Sequence, residues 1–122
     1  MNTKVQSNVG LGQAISYFTS LGYSVSIPLT ESQRYDLIVD DGDKLNRVEV
    51  KTTKTLDDTI SLRTKGGNQS WGGEVSRISS KDCEYVFCYS LLSKKMYLFP
   101  STILEGRATV KLCEKYDEYE IK

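Results

Sequence analysis

Histidine is absent from this 122-residue chain, and cysteine and proline are scarce, with three and two residues. Without histidine, neither a Ser–His nor a Cys–His nucleophile can form. The odd number of cysteines and the lack of a CxxC pair leave no plausible set of ligands for zinc. Any catalysis by this chain must therefore run on carboxylates, on lysine or on a hard metal ion.

Long apolar segments are missing as well. No run approaches the roughly 18 apolar residues of a membrane span, and residues 1–8 lack the apolar region of a signal peptide. We therefore expect a cytoplasmic protein, in a reducing compartment, that does not associate with membranes. With 39% apolar and 26% charged residues, the composition is typical of a globular protein, and the length predicts a single domain over residues 1–122.

Positive charge is not in excess, but it is unevenly distributed. The formal net charge is zero, which argues against indiscriminate binding of nucleic acid. Residues 44–81 nevertheless carry eight basic and four acidic side chains, whereas the segments on either side are net negative. This basic middle third indicates a surface for an anionic partner.

Hydrophobic periodicity predicts one helix followed by strands. Apolar residues recur at helical spacing from Val5 to Leu21, and Gly22 follows them as a C-terminal stop. A continuously apolar stretch at 85–89 predicts a central strand that is buried on both faces. The predicted strands lie near 23–29, 34–40, 45–53, 59–64, 85–89, 95–99 and 108–112. The pattern as a whole predicts an α+β fold.

The two strands on either side of Asp41-Gly42 form a predicted hairpin, because this dipeptide is a strong turn signal. Side chains alternate along a strand, so Glu49 and Lys51 share one face. A two-residue turn would place Asp36 diagonal to Glu49, and a loop two residues longer would place the two directly opposite. A slip of one residue would instead move Asp36 to the other face.

Two facing carboxylates repel each other unless a cation lies between them. A small set of hard oxygen ligands suits Mg²⁺, which retains several waters and polarises a bound phosphodiester. Lys51 would then stabilise negative charge that develops on the phosphorus centre, or orient the attacking water. The alternative is an ordinary solvent-exposed hairpin face, since Glu-x-Lys alone has little specificity.

Asp36, followed by Glu49-Val50-Lys51, resembles the signature of the PD-(D/E)xK nucleases. The predicted helix–strand–strand–strand order also resembles the core of that fold. Within this superfamily, the chain is most similar to the group I intron-associated PD-(D/E)xK homing endonucleases. The segments that carry this similarity are 22–28, 34–42, 47–52, 66–68, 97–101 and 115–119.

The resemblance implies a restriction-endonuclease-like core, with a mixed central sheet and the N-terminal helix packed on it. It implies a metal-dependent endodeoxyribonuclease that hydrolyses DNA phosphodiester bonds at specific sites, as the homing endonucleases of that group do. Asp36 and Glu49 would bind Mg²⁺, for which Mn²⁺ would substitute, and the Val50 carbonyl would add a ligand. Lys51 would be the catalytic lysine.

Two positions depart from the family pattern. Tyr35 stands where the signature has proline, which contributes no ligand. Gln13 stands near the position of a helical glutamate that supports the metal in many relatives, so Gln13 is a candidate catalytic residue. A neutral amide is a weaker ligand than a carboxylate, which puts a second metal site in doubt.

Double-stranded DNA is the predicted partner. The candidate DNA-binding residues are Arg34, Arg47, Lys54, Arg63, Lys65, Gly67, Asn68, Gln69 and Trp71. The basic residues would contact phosphates, and the amides of Asn68 and Gln69 would reach base edges from a glycine-rich loop. Alternatively that loop is a solvated turn, with Trp71 packed back on the domain. Cutting both strands needs two active sites, so we expect a homodimer or a homotetramer.

Two alternative functions stay open at this point. Holliday-junction resolvases are small dimers that resemble the same core, so a branched DNA substrate is the first alternative. The second is a non-catalytic DNA-binding module that retains the fold without the chemistry.

Overall fold

The computed structural model describes residues 2–63 and 77–122. In these residues the helices are α1 (Thr3–Ser20), α2 (Ser101–Leu104) and a 3₁₀ helix (Glu114–Tyr119). The strands are β1 (Ser24–Ser26), β2 (Leu37–Asp40), β3 (Leu45–Thr53), β4 (Thr59–Ser61), β5 (Tyr85–Ser90), β6 (Met96–Pro100), β7 (Thr109–Lys111) and β8 (Glu120–Ile121).

Six strands form a mixed sheet in the order β1-β2-β3-β5-β6-β8, and β4 pairs with β7 in a separate small sheet. Strands β3 and β5 run parallel, and every other neighbouring pair in the large sheet is antiparallel. The helix α1 packs on one face of this sheet, and the β4–β7 pair contributes to the core on the other face. This arrangement confirms the predicted α+β fold with an N-terminal helix on a mixed sheet.

The sheet has a hydrophobic core on each face: the first lies under α1, and the second lies under the β4–β7 pair. These two cores explain the sequence pattern of the central strands. In β5, every residue from Val86 to Ser90 is buried, as predicted for a strand covered on both faces. In β3, Val48 packs toward α1, whereas Glu49 points to the face that carries the second core. The candidate catalytic residues therefore lie on a sheet face that is partly covered by protein.

The helix α1 begins and ends at the expected signals. The side chain of Asn2 accepts a hydrogen bond from the Val5 N–H at 2.9 Å, which caps the first turn. At the other end, Gly22 adopts a φ of +84°, a conformation that glycine takes without strain. Among residues 2–63 and 77–122, no helix combines the length and the apolar character needed to cross a membrane.

Gly10 lies where α1 approaches β3 most closely. A Cβ built on Gly10 would overlap the Cγ2 methyl of Thr52, whereas a Cβ on Gly12 meets nothing within 4 Å. The packing of α1 on β3 therefore requires a glycine at position 10 but not at position 12.

Alanine at these two positions should change stability in opposite directions. We expect Gly10→Ala to lower the free energy of unfolding by about 1–3 kcal/mol, because it overpacks the helix–sheet contact. Gly12→Ala should raise it by about 0.5–1 kcal/mol through better helix propensity. Urea denaturation measures both changes. Adding Thr52→Ser to Gly10→Ala removes the overlapping methyl and should recover much of the loss, and equal effects of the two alanines would contradict the close contact.

Strand β1 is shorter than its sequence predicts. Alternation predicts a strand over 23–29, but β1 ends at Ser26, and Ile27 and Leu29 are exposed. Pro28 has no backbone N–H to continue the ladder, so pairing with β2 stops before it.

The charged C-terminal segment is more ordered than hydrophobic periodicity predicts. Tyr116 is buried in the 3₁₀ helix and meets the Phe99 ring edge-on, with centroids 5.3 Å apart. Strand β8 then pairs with β6 at the edge of the large sheet. Tyr119 packs on the same ring, with centroids 5.5 Å apart. A short element held by two tyrosines has no repeating apolar pattern, which is why hydrophobic periodicity does not reveal it.

Candidate active site

The register of β2 and β3 decides where the candidate catalytic side chains lie. Leu37 pairs with Val48, and the Asp36 N–H donates to the Val48 carbonyl at 2.8 Å. In this register the loop is two residues longer than a two-residue turn, and Asp36, just before the first paired residue, lies close enough to Glu49 to raise the pKa of Glu49. The longer of the two predicted loops is therefore the correct one, and Asp36, Glu49 and Lys51 share one face of the sheet.

The loop is longer than a two-residue turn because Asp41 caps it. Asp40 pairs with Leu45, and the Asp41 Oδ1 accepts hydrogen bonds from the Asp43 and Lys44 N–H groups at 2.9 and 3.0 Å. These backbone hydrogen bonds hold the pKa of Asp41 below its usual value. An Asx turn at the start of the loop thus sets the register on which the site depends.

The Asp36 carboxylate is oriented by the neighbouring strand. Its Oδ2 accepts a hydrogen bond from the Val50 N–H at 2.7 Å. Asp36 lies just before β2, where the main-chain ladder has ended, so a side chain replaces the missing backbone acceptor. This contact directs the carboxyl group of Asp36 toward the side chain of Glu49.

Glu49 is held in an unfavourable environment for a negative charge. Its side chain is only 12% exposed. Burial, and secondly the nearby charge of Asp36, raise the pKa of Glu49 to about 8. Lys51 opposes this shift but does not cancel it. A cation placed between Asp36 and Glu49 would favour the charged form of both.

The Lys51 ammonium group is fixed by two contacts. Its Nζ donates to the Arg63 carbonyl at 2.6 Å and lies 3.7 Å from the Glu49 Oε1. The side chain is 16% exposed, so this ion pair is shielded from bulk water more than a surface pair. The result is a positive charge held next to the Glu49 carboxyl group, among the residues that line a cleft.

The cleft has a volume of about 590 Å³. The N-terminal half of α1, the segment before β2, and strands β3 and β4 contribute its walls. The lining residues include Gln6, Glu31, Gln33, Arg34, Asp36, Glu49, Val50, Lys51, Thr52 and Arg63. It is therefore an open, polar groove with the Asp36–Glu49–Lys51 group inside it.

Gln6 is one of five residues of α1 that line this cleft, whereas Gln13 does not line it. The Nε2 of Gln6 donates to the Thr52 Oγ1 at 3.4 Å, which ties the helix to β3 beside the site. Residues seven apart lie on the same face of a helix. Gln6 is therefore a glutamine on the same face as Gln13, about two turns nearer the N-terminus. Sequence reasoning missed Gln6, and helical periodicity is the signal that would have found it.

The predicted DNA-binding residues fall into three groups. Arg34 and Arg63 line the cleft, although Arg34 also lies 3.7 Å from Asp82. Arg47 lies outside it, with the guanidinium bound to the Glu84 carboxylate, and this pair raises the pKa of Arg47 and lowers that of Glu84. Lys54 directly follows β3.

The other five predicted DNA-binding residues are not among those that the structure describes. Residues Lys65, Gly67, Asn68, Gln69 and Trp71 lie outside the described part of the chain. Their predicted roles stay predictions.

The residues present fit a hard divalent cation with few protein ligands. Within residues 2–63 and 77–122, no group of three or more His, Cys, Asp or Glu side chains is arranged to hold a metal ion. Mg²⁺, however, often takes only one or two carboxylates and keeps water on its other positions. Asp36 and Glu49 match that requirement, and their mutual repulsion is the physical reason for a cation between them.

Comparison with known proteins decides the family. A family model described as PD-(D/E)XK endonuclease matches residues 1–120. The chain belongs to the PD-(D/E)XK endonuclease family. Membership makes this protein a nuclease and confirms the family resemblance found in its sequence.

The fold of this PD-(D/E)XK endonuclease is shared with a solved structure. It is similar to a bacterial homing endonuclease, I-Ssp6803I, with a TM-score of 0.81 and 21% sequence identity over 98% of this chain and 89% of the other. This likeness confirms the predicted restriction-endonuclease-like fold. No curated protein matches the chain.

Proposed function

We propose that this PD-(D/E)XK endonuclease is a Mg²⁺-dependent enzyme that cuts double-stranded DNA at specific sites, with Asp36, Glu49 and Lys51 at its active centre. The observation that carries the proposal is the placement of two interacting carboxyl groups side by side, Asp36 just before β2 and Glu49 in β3. A lysine ammonium lies 3.7 Å from one of them, in an open cleft. An ordinary solvent-exposed hairpin face would not bury such charges.

Asp36 and Glu49 would hold the cation, with the Val50 carbonyl as a further ligand. When bound, Mg²⁺ would polarise the scissile phosphodiester and lower the pKa of a water that attacks it. The Val50 N–H keeps the Asp36 carboxylate oriented before DNA arrives, so little reorganisation is needed. Preorganised groups of this kind are the main source of electrostatic stabilisation in active sites.

Lys51 supplies positive charge where the reaction develops negative charge. Its hydrogen bond to the Arg63 carbonyl holds the Nζ beside the Glu49 carboxyl group. In the complex with DNA, the same Nζ stabilises the developing charge on the phosphoryl oxygens. Lys51 thus acts through charge and position.

The site-specific, homing-type role rests on the shared fold with a bacterial homing endonuclease. Cleavage of both DNA strands needs two copies of the site, so we propose a homodimer or a homotetramer. The amides of Asn68 and Gln69 are proposed to contact base edges, and Arg34, Arg47, Lys54 and Arg63 to contact phosphates.

Removal of single arginines tests which of them contact DNA. We expect Arg63→Ala to weaken DNA binding and to reduce the dependence of log K on log [salt] by about 1, the change for one lost phosphate contact. Arg47→Ala should have a smaller effect on this slope, because its guanidinium is already bound to Glu84. Fluorescence anisotropy on a duplex at several salt concentrations measures both. A slope unchanged in Arg63→Ala would remove this residue from the interface.

The proposed activity is tested with supercoiled plasmid and short duplexes. Purified protein is incubated with DNA in Mg²⁺, in Mn²⁺ and in EDTA, and a four-way junction is included as a competing substrate. We expect discrete cleavage products with either metal and none in EDTA. Cleavage that persists in EDTA would reject the metal dependence, and preferential cutting of the junction would favour a resolvase. Binding of DNA without cleavage under any condition would favour a non-catalytic module.

A further inference from the structure

Strands β3 and β4 lie close together but belong to different sheets. Strand β4 pairs with β7, whereas β3 is paired on both sides within the large sheet, with β2 and β5. Within residues 2–63 and 77–122, the hydrogen bonds that join β3 to the segment 59–63 are made by two side chains of β3, Lys51 and Thr53. These residues are two apart in an extended strand, so they share the face that also carries Glu49.

Thr53 fastens the start of β4 to the large sheet. It is the last residue of β3 and only 5% exposed. Its carbonyl accepts a hydrogen bond from the Leu91 N–H at 2.9 Å, which fixes its backbone beside the end of β5. Its Oγ1 donates to the Thr59 carbonyl at 2.8 Å. The exposed Thr55 hydroxyl reaches the same carbonyl at a longer 3.2 Å, so Thr53 makes the shorter and more buried contact.

Lys51 reaches the same segment farther along the chain. Its Nζ donates to the Arg63 carbonyl at 2.6 Å, four residues beyond Thr59. At about 3.3 Å per residue, the two carbonyls are roughly 13 Å apart along an extended segment, whereas Lys51 and Thr53 are only about 7 Å apart in β3. The segment therefore diverges from β3, with a short side chain bridging the narrow end and a long one the wide end.

The segment between these two contacts is stiff. Ile60 and Leu62 are fully buried in the core on this face, and Ile60 pairs with Val110 of β7. The Leu62 N–H continues this pairing by donating to the Ala108 carbonyl at 2.9 Å. A packed, paired strand moves as a unit, because its side chains interdigitate with their neighbours. A change in the distance from β3 at residue 59 is therefore carried to residue 63.

We propose that Thr53 is a positioning residue for Lys51. By holding the Thr59 carbonyl, Thr53 sets the distance of the segment 59–63 from β3, and the Arg63 carbonyl then holds the Lys51 ammonium 3.7 Å from the Glu49 carboxyl group. The consequence for catalysis rests on the function proposed above for Lys51. Displacing an active-site group by about 1 Å costs up to about 10²-fold in rate, so a hydroxyl outside the chemistry affects it through this lysine.

Spectra of the Lys51 side chain test the positioning without any cleavage. Thr53→Val removes the hydroxyl and keeps the branched shape, whereas Thr53→Ser keeps the hydroxyl. In ¹H–¹³C correlation spectra of the full chain, a fixed Lys51 has two distinct Hε signals, because its two Cε protons lie in different surroundings. We expect two signals in the wild type and in Thr53→Ser, and one averaged signal in Thr53→Val. Lys51→Ala assigns the signals by removing them.

Either of two results would overturn the positioning role. The first is a spectrum of Thr53→Val with the two wild-type Hε signals, and the second is a single averaged signal in the wild type. Thr53→Ala also lacks the hydroxyl and takes the place of Thr53→Val if that variant does not fold.

Single-turnover cleavage of a labelled duplex in Mg²⁺ tests the consequence for catalysis. We expect Thr53→Val to cleave about tenfold more slowly, with the DNA concentration for half-maximal rate changed by less than about twofold, since the substrate contacts remain. Thr53→Ser should restore most of the rate. Thr109→Val, at an exposed position in β7, is the matched control and should cleave at the wild-type rate.

A double variant separates positioning from a general loss of stability. In the Lys51→Ala background, Thr53→Val should slow cleavage no further, because no ammonium group is left to position. The same fold-loss in both backgrounds, or cleavage by Thr53→Ser as slow as by Thr53→Val, would refute the inference.

The failure of this inference is distinguishable from the failure of the proposed function. If Lys51→Ala cleaves at the wild-type rate, the proposed role of Lys51 is wrong, and the Hε signals still show whether Thr53 holds this side chain in place. If Lys51→Ala is slow while Thr53→Val cleaves like the wild type, the inference alone is wrong.

Discussion

We expect Lys51→Ala to lower the rate of DNA cleavage by about 10²–10³-fold, the usual cost of removing one group that stabilises transition-state charge. The ammonium group lies 3.7 Å from the Glu49 carboxylate and is held by the Arg63 carbonyl, so its removal takes away a fixed positive charge beside Glu49. Single-turnover cleavage of a labelled duplex in Mg²⁺ measures the rate. Affinity for the same duplex, measured without Mg²⁺, should change far less.

A lysine outside the cleft provides the matched control. Lys111 is exposed in β7, away from the cleft-lining residues, and Lys111→Ala should cleave at the wild-type rate. Lys51→Arg should remain strongly impaired, since the wider guanidinium does not reproduce a point charge at the same place. Cleavage by Lys51→Ala at the wild-type rate would show that the assignment of this lysine is wrong.

Glu49→Gln should abolish cleavage and yet stabilise the metal-free protein near pH 8. Burial and Asp36 raise the pKa of Glu49 from 4.5 in the unfolded chain to about 8. Between these pH values the folded state binds more protons than the unfolded state, so stability falls as the pH rises through this window. The loss amounts to roughly 2–5 kcal/mol once the pH exceeds the folded-state pKa. A glutamine has no proton to lose and escapes this penalty.

Thermal unfolding in EDTA at pH 5 and pH 8.5 measures this effect. Wild-type protein should lose stability between the two values, and Glu49→Gln should lose much less. Added Mg²⁺ should restore stability to the wild type at pH 8.5, because binding to the folded state alone is stabilising, and should do little for the variant. Glu118→Gln, at an exposed position in the 3₁₀ helix, serves as the control. If the wild type and Glu49→Gln respond to pH alike, Glu49 is not the buried acid described above.

The expected results for Glu49→Gln describe a conflict between stability and function in one residue. Glu49 costs stability without metal, and under the proposed mechanism it is retained because it holds the cation together with Asp36. Loss of activity combined with a gain in stability would distinguish this role from a purely structural one, in which both would fall together.

Local patterns in the sequence account for a large part of this fold. The helix ending at Gly22, the buried strand β5 and the hairpin across Gly42 all follow from apolar spacing and from residues suited to turns. Each signal depends on neighbours within a few residues, which is the range over which such patterns act. The same range explains the error in the C-terminal segment, where long-range packing on Phe99 and β6 sets the outcome.

The sequence predicted which residues form the candidate site, but it did not predict how they are arranged. Asp36, Glu49 and Lys51 were found from alternation and family resemblance, but both loop lengths were compatible with the sequence. The hydrogen bonds of the Asp41 side chain select the longer loop, whereas the Asp41-Gly42 turn signal fits either length. Gln6 was missed for a related reason, since the angle and depth at which α1 packs on β3 decide which turn of the helix reaches the cleft.

Sequence alone thus specifies which side chains share a strand face, because alternation is a property of the extended chain. Tertiary structure decides how far those side chains are buried and what they contact. The raised pKa of Glu49 and the anchoring of Lys51 on Arg63 both arise from segments distant in sequence or from burial by the whole fold. Electrostatic environment depends on the surroundings in three dimensions, and a linear pattern does not contain it.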